Sequence, residues 1–256
     1  MAGRVTLERN GSVASITFER PEARNAMSEE MFGQLHDHCE ELDSDDSVRV
    51  VVLCGAGGNF VAGGDIQQFK TFTSGEDGVA YEKMTGRSIA RLEELSKPTV
   101  AVVDGYAVGG GMILASVCDL RLCSERAMFG LPIARTLGNV PAGKNLARIA
   151  NIIGIAKTKE LVLTARLLPA TEALAAGLVN EVVPEARLES RAAELCKTIA
   201  SHAPLTISAS KEALHRFYLS GLPDTTDLTR RVYGSEDFRE GVAAFTGKRR
   251  PEWKGR

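Results

Sequence analysis

The sequence predicts an α/β fold that ends in a wholly helical stretch, and three observations lead there. Short runs of strand type alternate with runs of helical period through most of the chain. Two segments, VVVLCGAGGNFVAGGD and VAVVDGYAVGGG, share one plan: an apolar strand, a glycine loop and the start of a helix. From about Arg187 onward the pattern is helical, broken at Ala203-Pro204 and Leu222-Pro223. A chain of 256 residues is long enough for one such core with a helical appendage.

In chain order, residues 5–8 and 13–19 alternate with period two around Asn10-Gly11, a dipeptide that favours a hairpin turn. The loop RPEARN follows, and Ser28 is placed to cap a helix whose apolar stripe is Met31, Leu35 and Leu42. Residues 48–53, VRVVVL, are apolar on both faces and predict a buried strand. The loop GAGGNFVAGGD feeds a helix from about Ile66; another spans 81–95, and Pro98 forces an extended entry into strand 99–103. The second glycine turn opens a helix at 110–116. Strands at 119–123 and 127–130 follow, then helices at 145–153, 156–163 and 171–176, and a strand at 179–183.

Composition narrows the function. Net charge is −2, and the only basic block is KRRPEWKGR at the end, so nucleic acid is not the expected partner. The acidic run SEEMFGQLHDHCEELDSDD also speaks against RNA, because phosphate attraction needs a basic face. Cys39, Cys54, Cys118, Cys123 and Cys196 are scattered and odd in number; they read as reduced core thiols of a cytoplasmic protein. The charged, alternating start excludes a signal peptide, and no apolar run is long enough to cross a bilayer. His36, His38, His202 and His215 have no spacing that suggests a metal or a triad.

The glycine loops carry the chemistry. A helix N-terminus leaves backbone N–H groups unpartnered, and glycine lets a ligand approach them. Gly64 and Gly110 are therefore candidate donors to one carbonyl oxygen, an oxyanion hole. Each loop alone reads as a tight strand-to-helix turn; the pair, spaced by a helix and a strand, reads as a site.

FVAGGDI, GYAVGGG, Cys118-Asp119, AAGLVNEVV and EDFREGVAAFTGKRRPEW resemble the enoyl-CoA hydratase/isomerase (crotonase) superfamily over nearly the whole chain. The resemblance implies a spiral of ββα units over 1–190 holding the acyl-CoA site. It further implies a helical region over 191–256 that covers the site and mediates trimerisation, as a homotrimer or a dimer of trimers. It implies an acyl-CoA substrate, coenzyme A being part of that substrate with no separate cofactor or metal. The thioester carbonyl is expected between the amides of Gly64 and Gly110. Glu22, Arg24, Ala62, Asp65 and Ile66 map onto the CoA groove, and Phe245 and Lys248 resemble residues near a CoA phosphate.

The chain departs from the family at two positions. Hydratases there use two glutamates to hold a water, and this chain has Ile113 after the glycine triplet and Ile133 after Pro132. Isoleucine carries no proton, and one positioned acid–base group is worth roughly 10²–10⁴-fold, so ordinary hydration is expected to be weak. Arg135, Thr136, Asn139 and Lys144 are the polar groups next along. Arg135 could hold an anionic acyl group or a surface ion pair, and Asn139 could orient a water or close a turn. Glu82, beside Tyr81 and Lys83, is a further candidate base, as is Tyr233. Asp65 and Asp119 read as structural, the first as a helix cap. Three readings remain at this level: an enzyme that stabilises an enolate or oxyanion, including a decarboxylase or lyase; a silent acyl-CoA-binding subunit; and an RNA-binding relative.

Overall fold

The computed structural model describes residues 3–72, 75–136, 138–220, 236–237, 240, 249 and 252–256. The chain opens with an antiparallel hairpin, β1 (Arg4–Asn10) and β2 (Val13–Glu19), whose turn residues are Gly11 and Ser12 because Asn10 pairs with Val13. Helix α1 (Glu29–Asp43) follows, capped by Ser28, whose side chain accepts from the N–H of Met31. Its buried face is Met31, Phe32, Leu35, Cys39 and Leu42, the expected stripe with two additions. Next come β3 (Val50–Gly55), a 3-10 turn at Ile66–Thr71, α2 (Gly75–Glu93), β4 (Thr99–Val103), β5 (Tyr106–Val108) and α3 (Gly110–Val117). The chain then runs through β6 (Leu120–Ser124), β7 (Met128–Gly130), α4 (Ile133–Thr136) and α5 (Gly143–Thr164). It continues with β8 (Leu167–Pro169), α6 (Ala170–Ala175), β9 (Glu181–Val183), α7 (Leu188–Ala200) and α8 (Pro204–Ser220).

Six strands form one sheet in the order β1-β2-β3-β4-β6-β9, parallel from β2 onward, and three form a second in the order β5-β7-β8. The chain alternates between them. A strand in the large sheet is followed by one in the small sheet and then by a helix: β4, β5, α3, and again β6, β7, α4. The first glycine segment begins the same pattern, with β3 in the large sheet and Val61 bridging to Ala107 of β5. This is the predicted α/β spiral of ββα units.

Both faces of the large sheet are covered, which is why VRVVVL lacks alternation. Val51 and Leu53 join the main core with α1, α2 and α3. Val50, Val100, Val102 and Leu122 join a second cluster with Leu188, Ala192 and Cys196 of α7. Trp253, in the terminal residues, donates its indole N–H to the carbonyl of Ser201 at 3.1 Å, at the end of α7.

Several expected boundaries move. The strand expected from Val48 begins at Val50, since Val48 is held in a turn by its N–H to Asp45. The helices expected at 145–153 and 156–163 are one element, Gly143–Thr164, broken at Gly154 (φ 77°, ψ 155°). The strands β5 and β8 span three residues each, too few to show a period. His36 and His38 of α1 are half-buried, and His38 Nε2 lies 3.0 Å from the carbonyl of Val5.

All five cysteines are free thiols. Burial pushes Cys39, Cys118 and Cys123 up to about 12 and Cys196 to about 11, so these thiols stay protonated and unreactive. No helix among the described residues is long and apolar enough to cross a membrane.

Candidate active site

The loop at residues 20–27 forms one wall. Arg24 and Asn25 are left-handed (φ 49° and 59°), and Asn25 is fully buried. Its Oδ1 accepts from the N–H of Arg20 at 2.8 Å, and its Nδ2 donates to the carbonyls of Ala56 and Asn59 at 2.8 and 2.7 Å. One buried carboxamide thus ties this loop to the first glycine loop. Backbone bonds from Met27 to Gly63, Asp65 to Met27 and Ala62 to Arg24 lay the two segments side by side. The Arg24 guanidinium stacks over the Tyr106 ring at 5.0 Å.

The second glycine loop meets the first through β5. Val61 donates to the carbonyl of Tyr106 and accepts from the N–H of Val108, both at 3.0 Å. Gly109 then adopts φ 57°, ψ −120°, a conformation essentially confined to glycine, and turns the chain into α3. Gly110 is the first residue of α3, so its N–H has no intrahelical acceptor. Among the described residues, neither that N–H nor the N–H of Gly64 donates to any group. A methyl group built on Gly110 would lie 3.7 Å from the amide nitrogen of Gly64. The two amides, 46 positions apart in the numbering (110 − 64), border one space.

That space is a cavity of about 300 Å³ between the glycine loops, α2, residues 131–141 and the start of α5. Its wall is largely apolar, with Phe32, Ile89, Ile113, Leu131, Ile133 and Leu167. A larger hollow of about 1300 Å³ lies between the large sheet and α7, but neither bare amide lines it. The smaller cavity is the better site because the unpartnered donors lie there.

Glu82, in α2, is the one carboxylate among the described residues lining this cavity. Its Oε2 accepts from the N–H of Ala142 at 2.9 Å, just before α5. Burial raises its pKa above the ordinary glutamate value, and the Ala142 N–H only partly offsets this. The neighbouring Tyr81 packs edge-on against Phe69 (4.9 Å, 86°), and its hydroxyl lies where a side chain on Gly64 would project. Burial, with Glu82 and Asp65 nearby, keeps that phenol protonated.

Of the residues singled out from sequence, Gly64, Gly110, Ile113, Ile133, Glu82, Arg135, Asn139, Arg24, Ala62 and Ile66 all line the cavity. Ile113 is buried at 6% exposure, Ile133 is half-buried at the start of α4, and Arg135 and Asn139 are exposed at the rim. Two do not line it. Glu22 is exposed on the 3-10 turn Pro21–Ala23. Asp65 caps the turn at Ile66–Thr71 by accepting from the N–H of Gln67 at 3.0 Å, and it pairs with Arg20 at 2.7 Å. Lys144 is exposed at the start of α5, outside the lining. Asp119 is structural: it accepts from Thr99 N–H at 2.7 Å and pairs with Lys211 of α8 at 2.8 Å. Phe245, Lys248 and Tyr233 lie outside the described residues.

Several lining residues were not anticipated, Asn145 among them. Asn145 sits in the first turn of α5, 3% exposed. It shares a helical stripe with Arg148, Ile149 and Ile153, and a polar pair on an otherwise apolar stripe is the sequence signal that points to it.

The ββα spiral, with two glycine turns opening on an apolar cavity, defines a crotonase-fold protein. The family model for enoyl-CoA hydratase/isomerase matches residues 8–256, and the chain belongs to that family. It is 35% identical over 253 residues to a short-chain-enoyl-CoA hydratase of Clostridium acetobutylicum, covering 97% of this chain and 96% of that one. It is 34% identical over 255 residues to a 2,3-dehydroadipyl-CoA hydratase of Escherichia coli, covering 98% of each. The crystal structure of an enoyl-CoA hydratase/carnithine racemase from Magnetospirillum magneticum superposes with a TM-score of 0.94 at 33% identity, covering 98% of this chain and 96% of that one.

Proposed function

We propose that this family member binds an acyl-CoA, seats the thioester oxygen between the amides of Gly64 and Gly110, and moves the α-proton through Glu82. The observation that carries the reading is the adjacency of two undonated amides in a cavity whose one described carboxylate is Glu82. Two preorganised N–H groups in an apolar wall favour an oxygen that gains negative charge, as it does when the α-carbon loses a proton. Removing one such donor costs about 10²–10³ in rate in well-studied oxyanion holes. A carboxylate whose pKa is raised by burial is a stronger base toward that proton than a solvated one.

Hydration of a simple enoyl group is disfavoured, because Ile113 and Ile133 offer no group to hold or split a water. Enolate chemistry needs one base, and Glu82 supplies it. The chemistry calls for no separate cofactor, the coenzyme A portion arriving with the substrate. Arg24, Ala62 and Ile66, which line the cavity, are assigned to the CoA side. We place the protein in the cytoplasm as a trimer or a pair of trimers, checked by sedimentation of the full chain.

One observation favours a second reading. Arg135, at the rim, makes no ion pair with a described residue. It is free to hold an acyl carboxylate whose loss as CO₂ would form the same enolate without a base. A silent acyl-CoA-binding subunit is the outcome if no chemistry occurs.

The test is a mass-spectrometric screen of acyl-CoA esters in deuterated water. Deuterium uptake at the α-carbon of a saturated ester by the wild type, lost in Glu82→Gln, supports the leading reading. CO₂ loss from a malonyl-type ester that survives Glu82→Gln but not Arg135→Ala supports the second. Binding with neither leaves a silent subunit.

A further inference from the structure

The polar contacts at the start of α5 determine which way Asn145 faces. Arg148 lies one turn further along and is 3% exposed in its side chain; Glu93 of α2, facing it, is 9% exposed. Arg148 Nε donates to Glu93 Oε1 at 2.8 Å, and Nη2 pairs with Oε2, a bidentate ion pair closed off from solvent. Its remaining arm, Nη1, donates to Oδ1 of Asn145 at 2.6 Å. A guanidinium has donors only, so the atom that Asn145 turns toward it must be the oxygen. The NH₂ of Asn145 is thereby turned away from the guanidinium, no described group accepts from it, and the residue lines the cavity.

That NH₂ is not among the described fully buried side-chain atoms without a partner, so it opens to the cavity, where an acceptor on a bound ligand can take the place of solvent. We propose that Asn145 is a specificity-determining residue that donates a hydrogen bond to a second oxygen on the acyl group, beyond the thioester, and that Glu93 and Arg148 are its positioning residues. The substrate class is then an acyl-CoA whose chain carries a carbonyl or comparable acceptor. This rests on the thioester being bound at Gly64 and Gly110. A pocket built to donate a hydrogen bond discriminates against a ligand that lacks the acceptor, because the donor is then left buried and unpaired.

The test compares matched esters that differ by one keto oxygen: acetoacetyl-CoA against butyryl-CoA, and 4-oxopentanoyl-CoA against pentanoyl-CoA, by titration calorimetry on the full chain. In the wild type, one oxo ester is expected to bind about tenfold tighter than its parent. Asn145→Leu removes the preference, so that the two members of each pair bind with equal affinity. Asn145→Asp keeps an oxygen for Arg148, and therefore the fold, but presents an acceptor to the ketone; the preference should disappear or reverse. Equal wild-type affinity within both pairs overturns the assignment while the thioester site stands. So does a preference that survives in Asn145→Asp. Failure of all four esters to bind overturns the thioester reading itself, and this inference with it.

Discussion

The carboxylate of Glu82 accepts a hydrogen bond from the backbone N–H of Ala142 at 2.9 Å, joining the middle of α2 to the residue that precedes α5. This single bond fixes the group assigned as the base, and burial around it raises its pKa. The folded state therefore holds the Glu82 proton more tightly than the unfolded chain does. The associated stability is fully present below the unfolded glutamate value and is lost as pH rises through the raised folded value. Glu82→Gln, a neutral mimic of the protonated form, should melt above the wild type at neutral pH and no higher in acid. Thermal melts across that range check the sign; a variant that melts lower at neutral pH would contradict it.

The α-proton exchange rate should carry the same titration. If Glu82 is the base, exchange falls as pH drops through a pKa raised above the ordinary glutamate value. A rate that stays level through that window would move the base elsewhere.

The glycine triplet separates function from folding. A methyl at Gly110 meets nothing nearer than 3.7 Å, but it projects toward the amide nitrogen of Gly64. Gly110→Ala should fold with near-native stability and lose roughly 10²-fold or more in turnover. Gly111→Ala, one residue on, would collide with the carbonyl of Val61 and should express poorly. Circular dichroism and turnover measured on both variants separate the two effects.

Crotonyl-CoA should be hydrated slowly, since Ile113 and Ile133 line the cavity where a water-holding pair would stand. Ile133→Glu, half-buried at the first position of α4, should be tolerated, because a carboxylate is favourable near a helix start. Ile113→Glu places a carboxyl at a site 6% exposed and should lower the melting temperature. The double variant should raise hydration by roughly 10²-fold if the scaffold is otherwise competent. Brisk hydration by the wild type would refute the reading of both isoleucines.

The Glu93–Arg148 pair also supports the fold. Glu93→Ala would leave the guanidinium of Arg148 buried and uncompensated, at a cost of about 3–5 kcal/mol. Denaturant unfolding of the variant measures this directly. A loss under about 1 kcal/mol would mean that water replaces the carboxylate.

The sequence by itself determined the strand-to-helix turns, the Ser28 cap, the doubly buried strands and the family, because each depends on residues close together in the chain. The resemblance read from its motifs also implies that Ile113 and Ile133 stand where the family's hydratases carry glutamates. Only the tertiary structure decided that Glu82 and Asn145 share a cavity with Gly64 and Gly110, and that Glu22 and Asp65 lie outside its lining. The orientation of Asn145 depends on Arg148, whose partner Glu93 is 55 residues away, and burial of that pair is a property of packed helices. Local propensity shapes each turn. Which donors are left bare, and which carboxylate loses its water, depends on what the rest of the chain brings alongside.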